Sequence, residues 1–169
     1  IYRAKKIKDN IKVCLKVFDK HILQKGDYDF FLERIKREEE IVKLCKSEFI
    51  VNILRKLETL NNLIFEMDYW DSNFEEIIKK KGGFLNRAFF YQKIFWEILN
   101  ALKVLNKNQV IHRDIKPSNL FFIADNLATI QKPCVKLGGF DYAIYTKDNT
   151  SESVGSYFYA APEIIKNLE

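Results

Sequence analysis

The sequence predicts an α+β chain in two lobes, a small β-rich lobe with one helix followed by a mainly helical lobe. Two features of the hydrophobic pattern predict this. Strand-like alternation with a single helical interruption runs through Met67, and helical periodicity takes over from Phe74. A third observation bounds the class. With 169 residues, 47% hydrophobic and 30% charged, the chain can bury a core and stay solvated as one ordinary domain, without repeats or low-complexity tracts.

The elements follow in order. Ile1 to Phe18 alternates about Asp9-Asn10, which reads as a hairpin; its second arm, Ile11-Lys-Val-Cys-Leu-Lys-Val-Phe18, carries Cys14 and Lys16. From about Asp29 to Lys46 the apolar positions recur every three or four residues (Phe31, Ile35, Val42, Cys45), with Glu38 on that face and Glu39 and Glu40 off it. Ile50 to Leu57 and Asn62 to Met67 read as a second strand pair, and Asp68 to Asn73 as a linker. A short helix fits Phe74 to Lys80, stopped by Gly82-Gly83. A longer helix fits about Arg87 to Lys107, with Phe90, Ile94, Ile98, Ala101, Leu102 and Leu105 inward. Val110-Ile111, Leu120 to Ile123 and Cys134 to Leu137 are the remaining strands, and a hydroxyl-rich stretch runs on to Gly155.

Composition excludes several classes. The net charge of +5 is spread among acids rather than gathered in a block, which argues against a nucleic-acid-binding arm. No apolar run approaches the roughly 18 residues of a membrane span. Cys14, Cys45 and Cys134 are odd in number and lack metal or redox spacing, so neither a disulfide framework nor a zinc site is expected. A reducing cytoplasm or nucleus is the expected setting.

Four segments carry chemistry. Ile111-His-Arg-Asp-Ile-Lys-Pro-Ser-Asn119 places an acid, a lysine two residues later and an amide five residues later in one polar loop. Val13-Cys-Leu-Lys16 places a lysine at an inward strand position, where a buried amine is costly without an anionic partner, and Glu38 offers one. Lys136-Leu-Gly-Gly-Phe-Asp-Tyr-Ala143 and Gly155-Ser-Tyr-Phe-Tyr-Ala-Ala-Pro-Glu163 follow in that order. Together these segments resemble the catalytic domain of eukaryotic-type protein kinases of the serine/threonine class, and the resemblance covers essentially every residue present.

The resemblance implies a phosphoryl transferase using ATP and Mg²⁺ or Mn²⁺ on a protein serine or threonine hydroxyl. It makes Asp114 the base, Lys116 a γ-phosphate contact and Asn119 a metal ligand. Lys16 and Glu38 become the ATP-anchoring ion pair. Ile1, Cys14 and Phe121 enclose adenine, Met67 is the gatekeeper, and Asp68, Tyr69 and Trp70 offer hinge backbone groups. Val42, Ile53, His112 and Phe140 are expected to stack as a packing spine. The lobes divide as 1–67, hinge 68–73 and 74–169, with a Gly-rich loop expected just before Ile1 and further helices after Glu169. Lacking those, the piece is expected to be poorly stable.

Two departures stand out. The family's metal-binding aspartate position is Gly139 and its glycine position is Asp141, as if the two were exchanged. Three readings follow: a nucleotide-binding pseudokinase acting as scaffold or allosteric partner, rescue of the metal site by Asp141, or a sequence error or decaying gene copy. By position alone Asp141 should point elsewhere unless the backbone shifts. The second departure concerns regulation. Arg113 is expected to face an activation-loop phosphate, and the primary phosphosite falls on Glu152, with Ser151 and Ser153 as alternative acceptors. Glu152 is then either a partial phosphate mimic or an ordinary solvated charge.

Overall fold

Hydrophobic alternation in the first 70 residues produces a four-stranded antiparallel sheet. The computed structural model describes residues 1–23, 28–80, 88–123, 132–148 and 154–165. Strands β1 (Tyr2–Lys5) and β2 (Lys12–Asp19) form the expected hairpin, closed by Lys6 and Ile11 and turned at Asn10, whose φ of 62° suits a short polar side chain. Strands β3 (Ile53–Glu58) and β4 (Asn62–Met67) complete the sheet in the order β1-β2-β4-β3. A four-residue helix, α1 (Lys20–Leu23), follows β2; it is too short for helical periodicity to reveal. Helix α2 (Tyr28–Leu44) buries Ile35, Glu38, Ile41 and Val42 on the face its spacing predicted, whereas Phe31 on that face stands exposed.

One boundary differs from the sequence reading. The second strand pair starts at Ile53, because Ile50 and Val51 pair elsewhere: Ile50 bridges Leu137, and the Val51 N–H donates to the Leu137 carbonyl at 2.9 Å. Local alternation cannot distinguish these partners. This short pairing ties the first sheet to the strands of the second lobe.

The linker also acquires structure. Strand β5 (Ser72–Asn73) pairs with Phe121 and Phe122, and Asn73 caps α3 (Phe74–Lys79) by accepting from the Glu76 N–H at 2.9 Å. Helix α4 (Ala88–Lys107) buries Ile94, Ala101 and Leu105, with Ile98 and Leu102 packed at the edge of the same core. The side chain of Phe90 and residues 82–83 lie outside the described residues. Strand β6 (Val110–Ile111) pairs with β9 (Ile144–Tyr145), while β7 (Leu120–Phe122) and β8 (Val135–Leu137) form a hairpin. A short helix, α5 (Pro162–Ile165), ends the described chain.

Glu97 breaks the pattern on α4, because it sits on the apolar face and is buried. Its carboxylate accepts from the Cys134 N–H at 3.1 Å and the Val135 N–H at 2.8 Å, fastening α4 to the start of β8. All three cysteines are free and buried, and burial pushes the Cys45 thiol up to about 11, far from a reactive thiolate. Among the described residues no helix is long and apolar enough to cross a membrane.

Candidate active site

Successive residues of a strand face opposite ways, so Cys14 and Lys16 share one face of β2, opposite Met67 and Phe65 of β4. Burying Lys16 demands counter-charge. Its ammonium lies 2.7 and 2.8 Å from the two carboxylate oxygens of Glu38 and 2.6 Å from Asp141 Oδ1. Burial works against the lysine's charge, but Glu38 and Asp141 outweigh it and hold Lys16 above the usual lysine range. Burial, with Asp141 alongside, pushes Glu38 up despite its lysine partner.

Asp141 reaches Lys16 because the chain turns sharply after β8. Gly139 adopts φ 75° and ψ 54°, and residues Phe140–Tyr142 wind into a single 3-10 turn. This is the backbone shift on which the expectation for Asp141 depended: the left-handed residue and the turn aim its side chain toward the cleft. Arg34, one helical turn before Glu38, braces the turn by donating to the Asp141 carbonyl at 3.0 Å and stacking over Tyr142. The vacancy left by a missing side chain at Gly139 is already filled, since a Cβ there would lie 2.4 Å from the Asn119 amide carbon and oxygen.

The polar loop between β6 and β7 is built around a buried imidazole. His112 Nδ1 accepts from the Asp114 N–H at 3.2 Å, which leaves Nε2 to donate to the Gly138 carbonyl at 3.0 Å. Burial lowers its pKa, so the ring stays neutral and stacks on Phe140 at 4.7 Å. Val42, His112 and Phe140 are all buried, and Val42 and Phe140 lie in one core cluster with Ile53 at its edge. Arg113, at φ 65°, donates from Nε to the Tyr142 carbonyl at 2.7 Å.

Asp114 Oδ2 accepts from Asn119 Nδ2 at 3.0 Å and lies 2.8 Å from the Lys116 ammonium, which also meets Ser156 Oγ at 2.7 Å. Its Oδ1 is buried and has no hydrogen-bond partner among the described residues. Burial alone would raise the Asp114 carboxyl; Lys116, Ser156 and Asn119 outweigh it and hold the group below the usual aspartate range. A cavity of about 370 Å³ opens in front of these groups, bordered by Glu38, Asp114, Lys116, Asn119, Asp141 and Tyr142.

Residues 1–169 match the protein kinase domain. The chain belongs to that family. Curated relatives include the SNF1-like protein kinase ssp2 of Schizosaccharomyces pombe, 29% identical over 157 residues, 91% of this chain and 25% of the relative. The serine/threonine-protein kinase SIK2 of Gallus gallus is 28% identical over 162 residues, 94% of this chain and 18% of the relative. CBL-interacting serine/threonine-protein kinase 10 of Arabidopsis thaliana is 26% identical over 170 residues, covering 98% of this chain and 33% of the relative. This kinase domain thus spans a third or less of the length of each of these three relatives.

The hinge of the kinase domain differs in detail from the sequence reading. Asp68 is a brace: its carboxylate accepts from the Asn52 N–H and amide and binds Lys136 at 2.6 Å, and its own N–H donates to the Asn52 carbonyl. Tyr69 donates its hydroxyl to Asp71 at 3.0 Å. Cys14, Met67, Trp70 and Phe121 belong to one buried cluster, whereas Ile1 stands exposed outside it. Ser151, Glu152 and Ser153 lie outside the described residues, as does the side chain of Glu163.

Sequence reasoning passed over Arg34, Tyr142, Ser156 as a lysine partner, and Asn52. Arg34 had a usable signal, because positions four apart share a helix face and Glu38 was already singled out. The others are set by contacts between distant segments.

The depressed carboxyl of Asp114 has a signed consequence for stability. Its contribution is fully present above the unfolded aspartate value of about 4 and disappears as pH falls through the lower folded value. Urea midpoints of the parent and Asp114→Asn across this range should therefore converge as the solution becomes more acidic.

Proposed function

We propose that this kinase domain transfers the γ-phosphoryl group of ATP to a serine or threonine hydroxyl of a protein, with Asp141 supplying the carboxylate that Gly139 lacks. One observation carries the reading: Asp141 Oδ1 sits 2.6 Å from Lys16 while lining the same cavity as Asp114 and Asn119. The two relatives named serine/threonine kinases, and Lys116 placed two residues after Asp114, support the substrate class.

The residues fit a hard divalent ion. Asn119 and Asp141 offer oxygen donors, and among the described residues no group of three or more His, Cys, Asp or Glu forms a ready-made cage. Mg²⁺ or Mn²⁺ would be held by these two side chains, with nucleotide phosphates and water completing the shell, and would neutralise phosphate charge. Asp114, ionised and bordering the cavity, would orient the acceptor hydroxyl and take its proton. Lys116 and Lys16 would hold phosphate oxygens. Three free cysteines fit a cytoplasmic or nuclear setting.

A second reading, a pseudokinase that binds nucleotide and acts as a scaffold, is favoured by the engagement of Lys16 with two carboxylates before any phosphate arrives. Phosphate transfer to a generic Ser/Thr protein substrate, with Mg²⁺ or Mn²⁺ and with EDTA, separates the two when run on the parent and Gly139→Asp. Metal-dependent transfer by the parent is expected. Gly139→Asp should gain no activity and lose about 1–3 kcal/mol of stability, because its Cβ displaces the Asn119 amide. An inert parent revived by Gly139→Asp would favour the pseudokinase instead.

A further inference from the structure

The Lys16 side of the cleft is open, but the side where the nucleotide base would lie is packed shut by the protein's own rings. Cys14 is fully buried, and Met67, Trp70 and Phe121 are each at most 8% exposed, covered by protein atoms alone. The Trp70 ring lies 4.3 Å from that of Phe121, tilted by 42°. Phe121 in turn reaches so far inward that a Cβ on Gly138 would fall 2.6 Å from its ring. The Trp70 carbonyl faces Cys14 Sγ at 3.9 Å, which ties the segment after β4 to β2. A planar base needs a slot about two van der Waals contacts deep, roughly 7 Å between its walls. Among the described residues these buried side chains in mutual contact leave no such slot.

We propose that Trp70, seated on Phe121, is a plug in the base site that must be displaced before a nucleotide can bind, so that Trp70 sets the affinity for ATP and leaves affinity for a bare polyphosphate unchanged. This rests on the reading that the base lies between Cys14 and Phe121. The cavity of about 370 Å³ is bordered by Lys116, Asn119 and Asp141, the side chains proposed for phosphate and metal, and by none of Cys14, Met67, Trp70 and Phe121. Affinity for the whole nucleotide is therefore reduced by the fraction of time Trp70 is in place, while inorganic triphosphate escapes that penalty.

The experiment uses the parent chain, Trp70→Leu and Phe121→Leu, each checked for folding by its circular dichroism melt. The two leucines keep an apolar surface, so at least one variant remains measurable if the other fails to fold. Two readouts are taken: binding of ATP and of inorganic triphosphate with Mn²⁺, and the rate at which iodoacetamide labels Cys14 relative to Cys45 and Cys134. Trp70→Leu should tighten ATP about tenfold, leave triphosphate within about twofold, and speed Cys14 labelling severalfold. Phe121→Leu should change each readout in the same direction by less. Unchanged or weaker ATP binding in a variant that still binds triphosphate would overturn the proposal. So would equal tightening of both ligands, or Cys14 labelling as slow as in the parent. If Cys14 opens but no protein binds ATP or triphosphate, the nucleotide-binding reading falls and the role of Trp70 in ATP affinity falls with it.

Discussion

Asp141→Ala should lower the rate of phosphoryl transfer by about 10²- to 10³-fold, the usual cost of removing one charge-stabilising group from a transition state. The effect should fall on kcat, and raising Mn²⁺ should recover part of it if the lost carboxylate held metal. A carboxylate serving only as counter-ion to Lys16 predicts the opposite pattern. Freeing the lysine would then tighten ATP and leave the metal dependence alone. Measuring kcat, KM for ATP and the metal titration together distinguishes these roles. The variant should stay folded, because the Asp141 side chain is about half exposed and Glu38 remains to pair with Lys16.

Asp114→Asn should cost about 10²- to 10⁴-fold in kcat, the range assigned to a positioned general base. ATP affinity should change little. Asparagine keeps the shape and can still meet Lys116, but it offers neither the charge nor the basicity of a carboxylate. A single-turnover assay at saturating ATP isolates this step. An undiminished rate would remove Asp114 from the chemistry.

The sequence revealed the order of elements and the residues of the loop better than it revealed their neighbours. Lys16 and Glu38 were paired correctly because strand alternation and helix periodicity each point one of them inward, and burial then requires the match. The sequence leaves the direction of Asp141 conditional on a backbone shift, because that direction depends on a left-handed Gly139 and a single 3-10 turn, neither of which leaves a periodic trace. Asp68 illustrates another limit. An acidic residue at the end of a buried strand could face solvent, ligand or protein, and only the distant Asn52 and Lys136 decide that it braces the hinge. Ile50 and Val51 were assigned to the wrong partner for the same reason: a strand's pattern states that it pairs, not with what.

Glu97 gives the loop a property that no residue in the cavity could supply. By holding the amides of Cys134 and Val135, it fastens two points 37 and 38 residues apart in the chain, and the whole segment from His112 to Asn119 lies between them. Such a tie acts as a non-covalent staple, restricting how far the enclosed chain can wander before any local contact forms. Order at the loop is therefore partly inherited from a carboxylate on the buried face of α4, outside the cavity, and loosening that tie would blur the site without altering a single group in it.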